Sequence, residues 1–224
     1  GDSRAVFKNV SVDMRQFNKL KMFLHAESLP NEIALSDDQM VGFIRFGNDF
    51  TQNFYQIEIP LKVTIPSTTS GSNCGPLSAE VVWPAENEID LSLALLTDMK
   101  INKPKDALDI YYPDDDINIP GDPDMRDGNA KLRLGIRGNP NFGMVRNLML
   151  GVKSKEPHQD IKGEVWFDEL RVADMDNSRG MAAVLNVDTN FADFATISAT
   201  GRKSTIGFGG IEQGPNERNR EDTQ

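Results

Sequence analysis

The stretch LKMFLHA, residues 20 to 26, decides the fold class because its apolar residues recur at every second position. A period of two places alternate side chains on opposite faces of a β-strand. The stretch therefore predicts a strand with one face in a core, and it places His25 on the outer face. The core-facing set is Leu20, Met22, Leu24 and Ala26, which alternate with Lys21, Phe23 and His25.

The next segment of the chain shows the same alternation on both sides of a turn. Residues 40–46 and 55–65 each carry apolar residues at every second position, and GNDFTQN, residues 47–53, lies between them. Glycine and asparagine supply turn conformations that other residues resist. We predict a β-hairpin whose second strand buries Tyr55, Ile57, Ile59 and Leu61.

Further strands are predicted in the opening stretch and at residues 131–137 and 145–152, whereas only one segment has a helical period. Asn87 is a candidate N-cap with Asp90 three residues later, and the apolar residues that follow have helical spacing. They are Leu91, Ala94, Leu95 and Met99. Many strands with one short helix predict an all-β fold, a jelly-roll-like antiparallel β-sandwich of the galactose-binding-like kind over residues 1–175.

The stretch GEVWFDELRV, residues 163–172, closes this sandwich in the prediction. Val165, Phe167 and Val172 would face the core, while Trp166 and Asp168 would face outward or toward a neighbouring element.

A different pattern begins after residue 175. Two arms of about ten residues, joined by a very short connection, each separate an apolar face from a polar face, and this length matches a strand that crosses a bilayer at a tilt. A soluble hairpin gives the same alternation, so the pattern leaves both alternatives open. We predict a β-hairpin and polar tail over residues 176–224, with Asn186, Asp188, Asn190, Thr196 and Ser198 on the polar face.

Composition limits the function classes. The 224-residue chain has a net charge of -10 and no basic stripe, which argues against nucleic acid as a partner. No run approaches the roughly 18 apolar residues of a membrane helix. The single cysteine, Cys74, cannot form an intramolecular disulfide. The sequence begins and ends abruptly, so we expect a piece of a longer protein.

The residues give little support for catalysis. His25 and His158 lie in no recognisable metal or catalytic spacing, and the adjacent residues Asp168 and Glu169 would point to opposite faces of a strand. GFGG near Phe208 lacks the context of a phosphate loop. We therefore predict no enzyme activity and no cofactor.

An acidic segment within residues 111–129 is a candidate calcium-binding loop. Its carboxylates precede Gly128, but Arg126 occupies the position of a ligand in the EF-hand pattern. We favour a solvated loop, with structural calcium as the alternative. The acidic residues are Asp114, Asp115, Asp116, Asp122, Asp124 and Asp127.

Aromatic residues suited to stacking on a sugar ring define one hypothesis about function. A jelly roll that displays aromatic rings for stacking on sugars would be a carbohydrate-binding module of a secreted or surface glycan-processing protein. The candidate residues for this role are Trp83, Trp166, Tyr111 and Tyr112.

Motifs over most of the chain resemble the SprA/Sov family, the outer-membrane translocon of the type IX secretion system in Bacteroidetes. They keep their order along the chain, and the weakest part of the resemblance is residues 67–129, where no fixed motif is recognised. The motifs are FNKLKMFLHAES (17–28), IRFGNDFTQNFYQIEIPLKVT (44–64), IRGNPNFG (136–143), GEVWFDELRV (163–172), LNVDTNFADFATISATG (185–201) and STIGFGGIEQGPNERNRED (204–222).

The resemblance implies a fragment of a very large β-barrel that conducts folded cargo proteins and gliding adhesins across the outer membrane without catalysis. Residues 1–175 would be a soluble insert at the cell surface or the periplasmic face. The hairpin would begin the barrel strands, contact outer-membrane lipid with one face and line a watery lumen with the other. Partners would be exported cargo and other subunits of the secretion system.

Overall fold

A computed structural model describes residues 3–29, 32–64, 78–105, 107–113, 132–156, 160–175, 181–192, 194–205 and 222–223 of the chain. The chain divides into two compact units, Gly1–Asp174 and Met175–Gln224. The segments with Cys74, His158, Phe208 and the acidic residues 114–128 lie outside the described residues, so the predictions made for them stay predictions.

The described part of the first unit contains two β-sheets. A five-stranded sheet has the order β1-β7-β3-β4-β6, with every neighbouring pair antiparallel, and a three-stranded sheet has the order β5-β2-β8. The strands are β1 Ser3–Val12, β2 Phe17–Ser28, β3 Met40–Gly47, β4 Phe54–Pro60, β5 Glu88–Ser92, β6 Arg133–Arg137, β7 Val145–Ser154 and β8 Gly163–Met175. The helices are α1 Ala79–Val82 and α2 Leu93–Asn102, and 3-10 turns cover Ala85–Asn87 and Phe142–Met144.

The core lies between apolar faces of the two sheets. The alternating residues of β2 are at most 4% exposed, and they belong to one buried cluster with Ile44, Tyr55, Ile57 and Ile59 of the five-stranded sheet. Gly42 allows the two sheets to approach, because a Cβ atom there would lie 2.6 Å from Cδ2 of Leu24. The all-β sandwich prediction is confirmed.

The predicted hairpin over residues 40–65 is also present as β3 and β4, which pair antiparallel from Val41 with Pro60 to Gly47 with Phe54. Its predicted core face is fully buried. Burial of the phenol raises the pKa of Tyr55 to about 12.

The predicted start of the helix is wrong. Glu88–Ser92 forms β5 beside β2, and α2 begins only at Leu93. Asn87 is no N-cap: its side chain is buried, accepts a hydrogen bond from the Lys62 backbone nitrogen at 2.7 Å and donates one to the Lys62 carbonyl at 2.8 Å. The amide thus links two segments, a role that a local pattern does not reveal. The described part has two helices, α1 and α2, whereas the sequence patterns predict a single helix.

The strand β8 contains an irregularity. Val165 and Phe167 pack against the core, but the next core-packed residues are Leu170 and Val172, so the alternation shifts by one residue. Glu169, at the shift, has a φ of 51°, in the left-handed region that side chains with a Cβ atom resist. An extra residue in one strand is the signature of a β-bulge.

The second unit is a small sheet in its described part. The strands β9 Ala182–Phe191 and β10 Ala195–Ser204 form an antiparallel hairpin, and β11 Asp222–Thr223 pairs with the end of β10. Among the residues that the structure describes, no helix has the length and apolar character needed to cross a membrane.

The strained backbone at Glu169 gives a testable contrast within β8. We expect Glu164→Gly to lower the free energy of unfolding by about 0.5–1 kcal/mol, because glycine weakens an ordinary strand position. Glu169→Gly should leave it unchanged or raise it, because glycine adopts positive φ without steric cost. Urea unfolding followed by tryptophan fluorescence measures both, since Trp83 and Trp166 belong to this unit. Equal losses in the two variants would contradict the bulge.

Candidate functional site

The C-terminal hairpin separates apolar from polar side chains across both strands. Its register pairs Leu185 with Gly201, Val187 with Ala199 and Thr189 with Ile197, all on one face. The opposite face pairs Asn186 with Thr200, Asp188 with Ser198 and Asn190 with Thr196. Since directly paired residues share a face of a sheet, the two predicted faces coincide in both arms.

The apolar face of the hairpin is not covered within the described part of its unit. Leu185 is 67% exposed, and Val187, Phe191 and Ile197 are each about half exposed. A contiguous exposed apolar surface marks contact with another protein or with lipid. Val184, on the polar face near the start of β9, departs from the pattern.

Two of the four predicted aromatic residues meet at one place. On the outer face of β2, His25 is 2% exposed and lies between Trp83 and Trp166, whose ring centroids are 5.8 Å and 5.2 Å from the imidazole. The imidazole Nδ1 lies 2.6 Å from the Val82 carbonyl, which fixes Nδ1 as a donor, and Nε2 lies 3.4 Å from a carboxylate oxygen of Glu27. Trp166 remains 51% exposed.

The other two predicted aromatic residues lie at the five-stranded sheet. The backbone of Tyr111 pairs with Ile136 of β6, with hydrogen bonds of 2.8 Å and 3.0 Å. The ring of Tyr112 is covered by the guanidinium of Arg133 at 3.7 Å, and its hydroxyl donates a 2.9 Å hydrogen bond to Glu58. Tyr112 is therefore committed to contacts within the fold.

Glu58 is the centre of a polar network that the sequence patterns did not reveal. Its carboxylate is 4% exposed and lies 2.7 Å from Nζ of Lys153 and 3.6 Å from the Arg133 guanidinium. Gln56 donates a further hydrogen bond at 2.5 Å. The sequence indicates part of this network, because Gln56 and Glu58 alternate with the apolar residues of β4. It does not indicate the cations, because they come from β6 and β7, which are distant in sequence.

Burial and the charge of a neighbour act in opposite directions on the pKa of Glu58, whereas burial and the charge of Glu58 both raise the pKa of Tyr112. Burial raises the pKa of Glu58, but hydrogen bonds and charge from Lys153, with hydrogen bonds from Gln56 and Tyr112, outweigh it and hold the pKa below 4.5. Burial, followed by the charge and hydrogen bond of Glu58, raises the pKa of the Tyr112 phenol. The network therefore keeps an ionised carboxylate within the sheet face.

The described residues offer no metal site, since no three His, Cys, Asp or Glu side chains among them are grouped as ligands would be. The candidate calcium segment, residues 114–128, is not among them.

A comparison with protein families supplies the decisive match. The model of the family SprA_N, described as a motility related/secretion protein, matches residues 1–224, which is the full chain. The chain belongs to this family. The resemblance stated from the sequence motifs is thereby confirmed, and the chain is a motility- and secretion-related protein. No curated protein matches the chain.

Two of the SprA_N motifs join at one corner of the sandwich. Within GNDFTQN, the side chain of Asn53 accepts a hydrogen bond from the Asn139 backbone nitrogen at 2.9 Å, and that of Asn48 accepts one from Asn141 at 2.8 Å. Asp49 closes the first loop by accepting from three consecutive backbone nitrogens, residues 51–53. These residues thus stabilise the fold.

The Glu58 network predicts a pH dependence for the first unit. A carboxyl group whose pKa is lowered by folding stabilises the protein above its unfolded pKa, and that contribution is lost as the pH falls through the folded value. We expect Glu58→Gln to cost about 1–3 kcal/mol at neutral pH, because the buried partners lose an ionised acceptor. The cost should shrink as the pH falls below 4.5 and through the lowered pKa of Glu58.

Denaturant unfolding at each pH, followed by tryptophan fluorescence, measures this dependence. The matched control is Glu32→Gln, because Glu32 forms an exposed ion pair with Lys162 and should contribute less than about 1 kcal/mol. The same cost for Glu58→Gln at all pH values would show that the carboxylate is not ionised in the network.

Proposed function

We propose that the chain is a non-catalytic fragment of the outer-membrane protein-conducting translocon of the type IX secretion system. It would take part in export of folded cargo and gliding adhesins. The observation that carries the proposal is the register of β9 and β10, which aligns one apolar and one polar face over the central part of both strands. The SprA_N family supports a role in secretion and motility.

The dimensions of the hairpin fit a barrel wall. Each strand has ten residues, which at about 3.3 Å per residue span about 33 Å, or about 23 Å at a tilt of 45°. This is close to the roughly 25 Å apolar band of outer-membrane barrels. Lys203 lies at the end of the apolar face, where its long side chain can reach the interface.

The mechanism that follows is geometric. Lipid would cover Leu185, Val187 and Ile197, while Asp188 and Ser198 would line a water-filled passage for cargo. The sandwich would lie at the cell surface or in the periplasm and present surfaces to other subunits. No bond would be made or broken.

Cysteine labelling in the complete protein, produced in its own cells, tests this arrangement. Val187→Cys and Asp188→Cys are matched neighbours on opposite faces, and both are made with Cys74→Ser in a background without other cysteines. We expect a water-soluble maleimide to label Asp188→Cys at least about tenfold faster, because lipid excludes the reagent from the other face. Equal labelling of the two positions would contradict a lipid-facing hairpin.

A second candidate function is carbohydrate binding, and one observation favours it. Trp166 keeps half of its surface exposed, and its ring and that of Trp83 both contact His25, so the two rings could offer a stacking platform to a sugar. Structural calcium would be compatible with either function.

Glycan-array binding by the chain separates this function from the first. Under this second function Trp166→Ala should abolish binding, whereas Tyr112→Phe, which removes only a hydroxyl bound to Glu58, should not affect it. Absence of glycan binding by the unmodified chain would eliminate this candidate.

A further inference from the structure

The core of the sandwich is buried unequally across the five-stranded sheet. Apolar residues of β4 and β6 that face the core are at most 4% exposed, as for Ile57 and Ile136. Leu148 and Leu150 of β7 are only partly buried, and Val6 of β1, on the same face, is 70% exposed. Burial therefore falls toward the β1 edge.

The three-stranded sheet loses burial toward one edge as well. Ile89 of β5 and Met22 of β2 are fully buried, whereas Val165 and Phe167 of β8 are only partly buried. Helix α2 contacts β2, β5 and β6, so it covers the flank opposite to β8 and β1. Both sheets are thus exposed at the same flank in the described part of the chain.

Among the strands that the structure describes, an open strand edge lies at this flank. The three-stranded sheet ends at β8, which has β2 as its neighbour on one side, while the facing sheet extends to five strands. Neighbouring strands lie about 4.8 Å apart and packed sheets about 10 Å apart. A strand added to the edge of β8 would therefore lie over the core-side face of β7, which is partly buried, and that of β1, which is exposed at Val6.

The chemistry of that face specifies the added strand. Arg4, Val6 and Lys8 share it at two-residue spacing, opposite Val152, Leu150 and Leu148 of β7. The sequence of β1, SRAVFKNVSV, contains no carboxylate. A complementary strand would place an apolar residue over Val6 and carboxylates two positions before and after it.

We propose that the β8–β1 flank binds an extended segment of a partner polypeptide, in which an acidic, an apolar and an acidic residue alternate along one face. The segment pairs with the regular part of β8, residues 163–168, before the bulge at Glu169. Backbone hydrogen bonds supply affinity and the side chains supply selectivity, as in other strand additions. The local cations Arg4 and Lys8 specify the acidic positions of the segment, and a second copy of the chain is an outcome that the test below distinguishes. The proposal does not depend on a membrane role of the hairpin.

The test uses the full 224-residue chain and a fluorescein-labelled heptapeptide with glutamate, valine and glutamate at positions 2, 4 and 6 and threonine elsewhere. We expect saturable binding by fluorescence anisotropy and about tenfold slower hydrogen exchange of alternate amides in residues 163–168. The peptide with lysine in place of both glutamates should bind at least about tenfold more weakly.

Protein variants locate the contact. Lys8→Glu should weaken binding about three- to tenfold, whereas the matched charge reversal Lys105→Glu, on the chain that follows α2, should leave it unchanged. No binding, equal binding of both peptides, or protection elsewhere than residues 163–168 would overturn the proposal. Sedimentation that shows a dimer with these amides already protected would also overturn it in favour of a second copy.

Discussion

The contact between β2 and the five-stranded sheet is the constraint on which the rest of the fold depends. Leu24 packs where Gly42 has no side chain, so the two sheets can come close enough to exclude water from one continuous cluster. Burial of apolar surface is the main favourable term in folding. The rest of the first unit is arranged around this contact. Helix α2 covers one flank of the core, and the Glu58 network lies on the face of the five-stranded sheet that points away from the core.

Local alternation explains which parts of the fold the sequence predicts well. Strands such as β2, β3 and β4 have one fully buried face, so their period of two is strong and their predicted core residues are buried. The β9–β10 hairpin is predicted equally well, because apolar and polar residues alternate along the central part of both strands. Three of the six motifs that carry the family resemblance lie in these same elements.

Features that depend on distant partners or on backbone conformation were not predicted. Ile89 and Leu91 fit both a short strand and the first turn of a helix, and only pairing with β2 decides between them. The bulge at Glu169 requires a positive φ, and the sequence has no glycine there that would indicate one. Glu58 gains its cations from strands that are far away in sequence, and His25 is buried by two tryptophans from separate segments.

The pairing of β9 with β10 has a consequence for assembly. Both long edges of this hairpin carry backbone groups, and among the described residues β11 pairs with only the last two residues of β10. Hydrocarbon offers no hydrogen bonds, and each backbone group left unsatisfied there costs several kcal/mol. Such a hairpin could not enter a bilayer alone: it would have to insert concertedly with adjoining strands, so that neighbours close both edges before the backbone leaves water.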